Sequence, residues 1–283
     1  MRLLVTGASS FVGAHFCREA ALRHAVYGVF HQTPLSLSGV TPLRCDLRHP
    51  AAIDRLGSVE PDVVVHMACK VMGNGIETVN RRMMDVVLGL GVPVLYASST
   101  MVHWDADTAY ARSRREDEER LADSGLPHAI LRPCAPYGPR LKEHKPRHPD
   151  CFQRLADWIV RWPCVPVIGD GSTLRQPVHV VDFCRAALAL IEQGLSNLAF
   201  DAGGPRAIRM DHLVDVVARA VSRDVQRLHV PTALFQLGAR FTGGFEPELL
   251  EAFSCDDIVD PVPLMEATGV VPRPFSEGAR DLR

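Results

Sequence analysis

Short apolar segments alternate with amphipathic segments through the first half of the chain. The apolar segments are RLLVT, AVYGVF, DVVVHMA, VPVLYAS and HAILRP, and residues 11–23, 50–57, 76–90 and 108–124 between them have the pattern of helices. Such alternation predicts βαβ units, because neighbouring parallel strands need a crossover connection that is usually a helix. Right-handed crossovers then cover both faces of the sheet. We therefore expect an α/β fold built on a doubly wound parallel sheet.

The first predicted strand leads into the sequence TGASSFVGAHF. Gly7 and Gly13 occupy positions at which a dinucleotide-binding turn requires glycine, and the helix that follows offers free amides to a pyrophosphate. The middle glycine of this spacing is replaced by Ser10, whose Cβ crowds the ligand and whose hydroxyl can donate to a phosphate. The alternative is an ordinary tight turn between a strand and a helix. The order of the elements favours a Rossmann-type cofactor turn.

The second predicted strand ends in GVFHQTP and offers no carboxylate for the adenosine 2′-hydroxyl of NAD. His31 or Gln32 is able to tolerate or contact a 2′-phosphate instead. The sequence therefore predicts NAD(P) as the cofactor, with NADP slightly favoured over NAD. The alternative interpretation is that His31 is an exposed loop residue.

The sequence pattern changes after Pro133. Prolines and basic residues occupy 133–149, and helical periodicity returns over 150–162 and 181–193. We expect two parts. They are a Rossmann domain formed by residues 1–132 and about 165–193, and a smaller C-terminal substrate lobe formed by about 133–164 and 194–283.

The charge of the whole chain provides no attraction to nucleic acid or to an anionic membrane, since the formal net charge is -2. A small-molecule substrate is the better expectation. No apolar run reaches the ~20 residues of a membrane helix, and the chain opens on a strand and not on a signal peptide. The 8 cysteines contain no CxxC pair and fit free thiols in a reducing compartment. We expect a cytoplasmic protein without a metal site.

The stretch TAYARSRRED places Tyr110 four residues before Arg114. Residues at this spacing share one face of a helix, where a cation lowers the pKa of a phenol and prepares it for proton transfer. Arginine brings a planar fork that is bulkier than an ammonium group. Three interpretations are open: a working enzyme, a variant with altered chemistry, and a fold that has kept its cofactor pocket without its reaction.

In the order of its motifs, the chain resembles the extended short-chain dehydrogenase/reductase family, the NAD-dependent epimerase/dehydratase group. The motifs are TGASSFVG, CDLR, DVVVHMA, YASSTMVHW, TAYARSRREDEE, LRPCAPYGPR and GDGSTLRQPVHVVDFCRA. The resemblance implies that Ser99 and Tyr110 polarise the substrate's oxygen while a hydride moves to or from the nicotinamide, with Arg114 in place of the family's lysine. It implies cofactor contacts from Gly7, Ser10, Phe11, Val12, Gly13, His31, Asp46, Leu47, Met67, Ala68, Tyr110 and Arg114, and substrate contacts from Lys70, Thr100, Arg140 and Arg175.

Departures from the family's pattern narrow the reaction. The connection from Ser99 to Tyr110 is short, as is the loop after DVVVHMA, and the family's longer loops at these places line the substrate side. Ser99 is followed by Thr100 and Met101, and neither acts as a general acid or base as a carboxylate does. Elimination and decarboxylation are therefore disfavoured. Epimerisation, ketone reduction and alcohol oxidation remain.

The leading hypothesis is an oxidoreductase or epimerase that acts on a hydroxyl or keto group of a nucleotide-activated sugar, since Arg175 and the basic run GPRLKEHKPRH suit a diphosphate. One alternative is a reductase of a non-sugar carbonyl, which the short loops favour. Another is a catalytically silent NADP-binding regulatory protein, which Ser10 and Arg114 favour. The resemblance implies a homodimer through 76–90 and 108–124. His66 and His179 are expected to be hydrogen-bonded core residues.

Overall fold

The structure is a computed structural model that describes residues 1–148, 150–234 and 255–283. Its strands are β1 (Arg2–Thr6), β2 (Ala25–Phe30), β3 (Val40–Arg44), β4 (Val63–His66), β5 (Val94–Ala97), β6 (His128–Pro133), β7 (Cys164–Ile168), β8 (Leu174–Arg175), β9 (Leu198–Ala202), β10 (Ile208–Arg209) and β11 (Gln226–Val230). Its helices are α1 (Phe11–Ala20), α2 (Ala52–Gly57), α3 (Ile76–Gly89), α4 (Ala109–Asp123), α5 (Cys151–Arg161), α6 (Val180–Gln193), α7 (Met210–Ala220), α8 (Val262–Thr268) and α9 (Phe275–Gly278). Short 3₁₀ helices cover Thr100–His103 and Ala279–Leu282.

The central sheet has seven parallel strands in the order β3-β2-β1-β4-β5-β6-β9. Side chains alternate between its faces, as strand geometry requires. Leu3 and Val5 pack in the core on the side of α1 and α6, whereas Leu4 packs with Met84 of α3 on the other side. Both faces are therefore covered by helices, and the predicted α/β doubly wound fold is confirmed.

A smaller group of elements stands beside the central sheet. β7 and β11 form a parallel pair, and β8 and β10 form an antiparallel pair. The third buried cluster joins α5, α7 and α9, with the ring of Tyr137 centred 5.5 Å from Phe152 and 4.8 Å from Phe275. β9 belongs to the central sheet, although the sequence-based division assigned 194–283 to the substrate lobe. The division into two parts stays a prediction.

The helix positions follow local capping. Ser10 Oγ accepts a hydrogen bond from the Gly13 amide at 3.0 Å, so the side chain begins α1. Thr108 Oγ1 accepts from the Ala111 amide at 3.0 Å and begins α4 in the same way. Tyr110 therefore lies in the first turn of α4. Parallel strands end at one common edge, so the loops after β1, β2, β4 and β5 meet there.

All eight cysteines are free thiols, and Cys69 and Cys151 are exposed. Across 1–148, 150–234 and 255–283, no helix combines the length and apolar character needed to cross a membrane.

Candidate active site

The glycine turn after β1 has the geometry of an anion-binding helix start. Gly7 has φ +67°, a conformation that side chains disfavour, and a Cβ on Gly13 would lie 2.2 Å from the Gly7 carbonyl oxygen. The amides of Phe11 and Val12 belong to the first turn of α1, where a helix supplies no acceptor. These two amides fit a pyrophosphate at the helix N-terminus. Ser10 is exposed, and its Oγ already accepts from Gly13.

The adenosine-side residues predicted from the sequence lie together beyond β2 and β3. Asp46 binds Arg48 at 2.6 Å, and its carboxylate lies 3.5 Å from His31 Nε2. The hydrogen bond from Arg48 holds the pKa of Asp46 well below its usual range. His31 is partly exposed, and Leu47 is buried. Their contacts with a cofactor stay a prediction.

The end of β4 is fixed by a buried histidine. Thr6 Oγ1 accepts from the amides of Met67 and Ala68, both at 3.2 Å, so its own hydrogen points to His66 Nδ1 at 2.7 Å. Burial lowers the pKa of His66 to about 3, with a further contribution from Arg114, and the ring is neutral. The expectation that His66 is a hydrogen-bonded core residue is confirmed. The side chain of Cys69, three residues after His66, lies near the tyrosine described below.

Lys70, which the sequence analysis assigned to the substrate, has a side chain that contacts its own loop. Its Nζ donates to the Asn74 carbonyl, and its backbone amide donates to Asn80 Oδ1 at 2.7 Å. The side chain therefore organises its own loop, and a substrate contact from Lys70 stays a prediction.

Ser99 and Tyr110 are brought together at the end of β5. The side chains of Ser99 and Cys69 lie near enough to the Tyr110 hydroxyl to influence its pKa. Ser99 Oγ accepts a hydrogen bond from the Met101 amide at 3.2 Å. Burial raises the pKa of Tyr110 above its ordinary value, Cys69 adds to the rise, and Arg114 acts in the opposite direction. The sequence predicted the direction of the arginine's effect, but burial outweighs it. The phenol is therefore protonated at neutral pH.

Arg114 lies beneath the tyrosine, in the protein interior. Its side chain is 1% exposed, and its Cζ is 5.3 Å from the ring centres of both Tyr96 and Tyr110. Its Nη2 donates to Asp117 Oδ2 at 3.1 Å, and the Tyr96 hydroxyl donates to the same oxygen at 3.1 Å. We call these four residues the arginine cluster. The cation is fixed near the phenol, whereas the ribose contact that a lysine makes in the family stays a prediction for Arg114.

The sequence analysis missed a buried carboxylate beside Thr100. Asp257 is 5% exposed and accepts hydrogen bonds from Thr100 Oγ1 at 3.2 Å, Trp104 Nε1 at 3.2 Å and Cys134 Sγ at 3.1 Å. No local motif marks Asp257, because its partners are distant in the sequence. Cys69 was also missed, although it directly follows Met67 and Ala68, two residues assigned to the cofactor.

Arg175 is buried next to this carboxylate. It pairs with Asp257 in a β-bridge, and its Nη1 donates to the carbonyls of Leu174 and Cys255. Burial lowers the pKa of Arg175, and the negative charge of Asp257 opposes that change. Asp257 therefore places a negative charge near the Arg175 guanidinium.

Arg140, the other predicted substrate cation, extends to α5. Its Nη2 donates to Asp157 at 2.7 Å and to the Gln153 carbonyl at 3.3 Å, and its side chain is 47% exposed. This is a surface ion pair, and a substrate contact from Arg140 stays a prediction. His179 caps α6 through Nδ1 and is buried, which confirms the expectation of a hydrogen-bonded core histidine.

The fold and the tyrosine-centred site define an enzyme of the extended short-chain dehydrogenase/reductase type. The family model for the NAD-dependent epimerase/dehydratase family matches residues 3–203, and the chain belongs to that family.

Similar proteins include a curated relative and several solved structures. A ceramide reductase of Caulobacter vibrioides is 28% identical over 213 residues, which cover 66% of this chain and 62% of that protein. The UDP-glucose 4-epimerase of Thermotoga maritima, solved with UDP-glucose, has a TM-score of 0.79 at 18% identity and covers 100% of this chain and 97% of its own. The UDP-glucose 4-epimerase of Bifidobacterium longum, solved with NAD+ and UDP, has a TM-score of 0.80 at 18% identity with the same coverage. These structural likenesses establish the fold.

Arg114→Met is expected to lower the free energy of unfolding by about 3–5 kcal/mol, because it leaves the buried Asp117 without a cation. Arg112→Met is the matched control on α4, since Arg112 forms exposed ion pairs worth about 1 kcal/mol at most. Adding Asp117→Asn to Arg114→Met is expected to restore part of the loss. Urea unfolding measures all three. Equal stability of the two single variants would show that Arg114 compensates no buried charge.

Proposed function

We propose that the chain is an NADPH-dependent reductase of a ketone on an uncharged, non-nucleotide substrate. The observation that carries this proposal is the placement of the Tyr110 side chain beside Ser99 at the end of β5, with the cation of Arg114 5.3 Å from the Tyr110 ring centre. A protonated tyrosine is the form required for giving a proton to a carbonyl oxygen, whereas alcohol oxidation begins with the phenolate. The site is therefore better suited to reduction.

The residues of the glycine turn and the Asp46 region would hold the dinucleotide. The orphan amides of Phe11 and Val12, and the tight turn that Gly7 and Gly13 permit before them, fit its pyrophosphate. When bound, the reduced nicotinamide supplies a hydride to the carbonyl carbon. The structurally similar epimerase of Bifidobacterium longum was solved with NAD+. NADPH is proposed for this chain because no carboxylate follows β2 to accept the ribose 2′-hydroxyl of NAD.

Ser99 and Tyr110 would together bind the carbonyl oxygen of the substrate. The Ser99 hydroxyl donates to that oxygen, and the Tyr110 hydroxyl transfers its proton to it as negative charge develops. The tyrosine is left as a phenolate, which the positive charge of Arg114 stabilises, since its Cζ is 5.3 Å from the ring centre. Arginine can therefore take the electrostatic part of the lysine's role.

The charge on the substrate side supports an uncharged substrate. A diphosphate needs a positively charged site, and Asp257 places a buried negative charge near Arg175. Asp257 would also repel a phosphate near Thr100, to which it is hydrogen-bonded at 3.2 Å. The likeness to a ceramide reductase agrees with this substrate class, so the keto form of a ceramide is the first compound to assay.

A nucleotide-sugar substrate is the second candidate, and one observation favours it. Arg175 is buried at the place where the family resemblance implies a diphosphate contact, and structural neighbours were solved with UDP-glucose or UDP. We also propose that the protein is a homodimer and that it is located in the cytoplasm.

Tyr110→Phe is expected to lower ketone reduction by about 100-fold to 10,000-fold and to leave NADPH affinity unchanged, because it removes the proton donor. Tyr27→Phe on β2 is the matched control. Since the raised pKa of Tyr110 keeps the phenol protonated, the rate of reduction should not vary through this group between about pH 6 and 9, whereas the reverse oxidation should rise with pH. Wild-type protein that binds NADPH, turns over no carbonyl and matches Tyr110→Phe would support the silent-binder alternative.

Asp257→Asn is expected to strengthen UDP binding by about 10-fold or more, because it removes a buried negative charge that would repel a phosphate, and charge-assisted bonds contribute roughly 1.5–3 kcal/mol. The exposed neighbour Asp256 gives the control Asp256→Asn. Calorimetric titration with UDP measures both. Tight UDP binding by the wild-type protein that is lost in Arg175→Ala would instead support the nucleotide-sugar candidate.

A further inference from the structure

The basic segment, which we define as residues 139–148, leaves β6 and returns to the glycine turn. The Pro139 carbonyl accepts from His15 Nε2 on α1 at 3.0 Å, and His144 Nε2 donates to the Ser9 carbonyl at 3.0 Å. Burial lowers the pKa of His15 to about 4, and His144 is only 5% exposed. Both contacts are thus made by buried imidazoles and not by mobile surface cations. The segment is fixed to the turn at two points.

Beyond His144 the segment reaches the end of β2. Arg147 Nη1 donates to Gln32 Oε1 at 2.6 Å, across 115 residues of sequence. Gln32 stands two residues after Phe30, the last residue of β2, where a dinucleotide-binding fold recognises the 2′-position of the adenosine ribose. Because glutamine is neutral, it positions the guanidinium without cancelling its charge.

The charges around this point favour an anion. Asp46, which follows β3, is already bound to Arg48 at 2.6 Å and lies 3.5 Å from His31. One carboxylate is therefore shared by an arginine and a histidine, and Arg147 adds a further cation. A guanidinium fork matches the geometry of a phosphate.

We propose that Arg147 is the residue that selects the 2′-phosphate of NADP(H), held in place by Gln32 and by the buried anchor His144. The sequence analysis grouped Arg147 with the cations for an anionic substrate, whereas the structure brings it to the cofactor side. The inference rests on the proposed use of NADPH and assigns the residue that would recognise it.

The test uses adenosine 2′,5′-bisphosphate and 5′-AMP as probes, with binding measured by calorimetry on the full chain. Arg147→Ala is expected to weaken the bisphosphate by about 10-fold to 150-fold and to leave 5′-AMP unchanged, as expected for one charge-assisted contact. Lys145→Ala removes the same charge from an exposed position in the same segment and should change neither. Gln32→Glu should neutralise Arg147, weaken the bisphosphate and leave 5′-AMP unchanged.

Several results would overturn the assignment. A wild-type protein that binds the two probes equally would exclude 2′-phosphate selection, and an equal loss of both probes in Arg147→Ala would make the residue a general support of the turn. Equal effects of Arg147→Ala and Lys145→Ala would show that Arg147 has no specific role in recognising the 2′-phosphate. The probes carry no nicotinamide, so a failure of ketone reduction with intact discrimination between them would count against the proposed reductase and not against Arg147.

Discussion

The buried positive charge of Arg114 is the constraint on which the candidate site depends. An arginine with 1% exposure is costly unless its charge is compensated, and here Asp117 and two tyrosine rings compensate it. Tyr96 comes from β5, while the other three members of the arginine cluster come from α4. The cluster therefore joins the first turns of α4 to the sheet, and the position of Tyr110 against Ser99 follows from that junction.

The family membership and the charge pattern answer different questions. Matching residues 3–203 to the family fixes the scaffold and the class of enzyme. A scaffold hosts many substrates, so the substrate has to be inferred from the pocket itself. The proposed substrate class rests on Asp257, a buried carboxylate that accepts a hydrogen bond from Thr100 and adds negative charge near Arg175.

The sequence predicted what depends on neighbours along the chain. The alternating pattern gave the parallel sheet, and the predicted helix at 76–90 is observed as Ile76–Gly89. It also proposed Ser99 and Tyr110 as a pair, because each belongs to a local motif, and the structure brings the two side chains near each other. It could not identify Asp257, which meets Thr100 across 157 residues, or the raised pKa of Tyr110, which results from burial by elements elsewhere in the fold. Contacts of this kind have no periodicity to reveal them.

The anchoring of the basic segment has a consequence for how such a protein can diverge. Its bonds to Ser9 and Gln32 come from outside the βαβ units that build the glycine turn. Mutations in the segment can change the electrostatic surroundings of the turn without altering any residue of the sheet or of α1. Selection for stability can thus act on the scaffold while the sequence of the basic segment changes. The stability of the fold and the electrostatic surroundings of the glycine turn are therefore free to evolve at different rates.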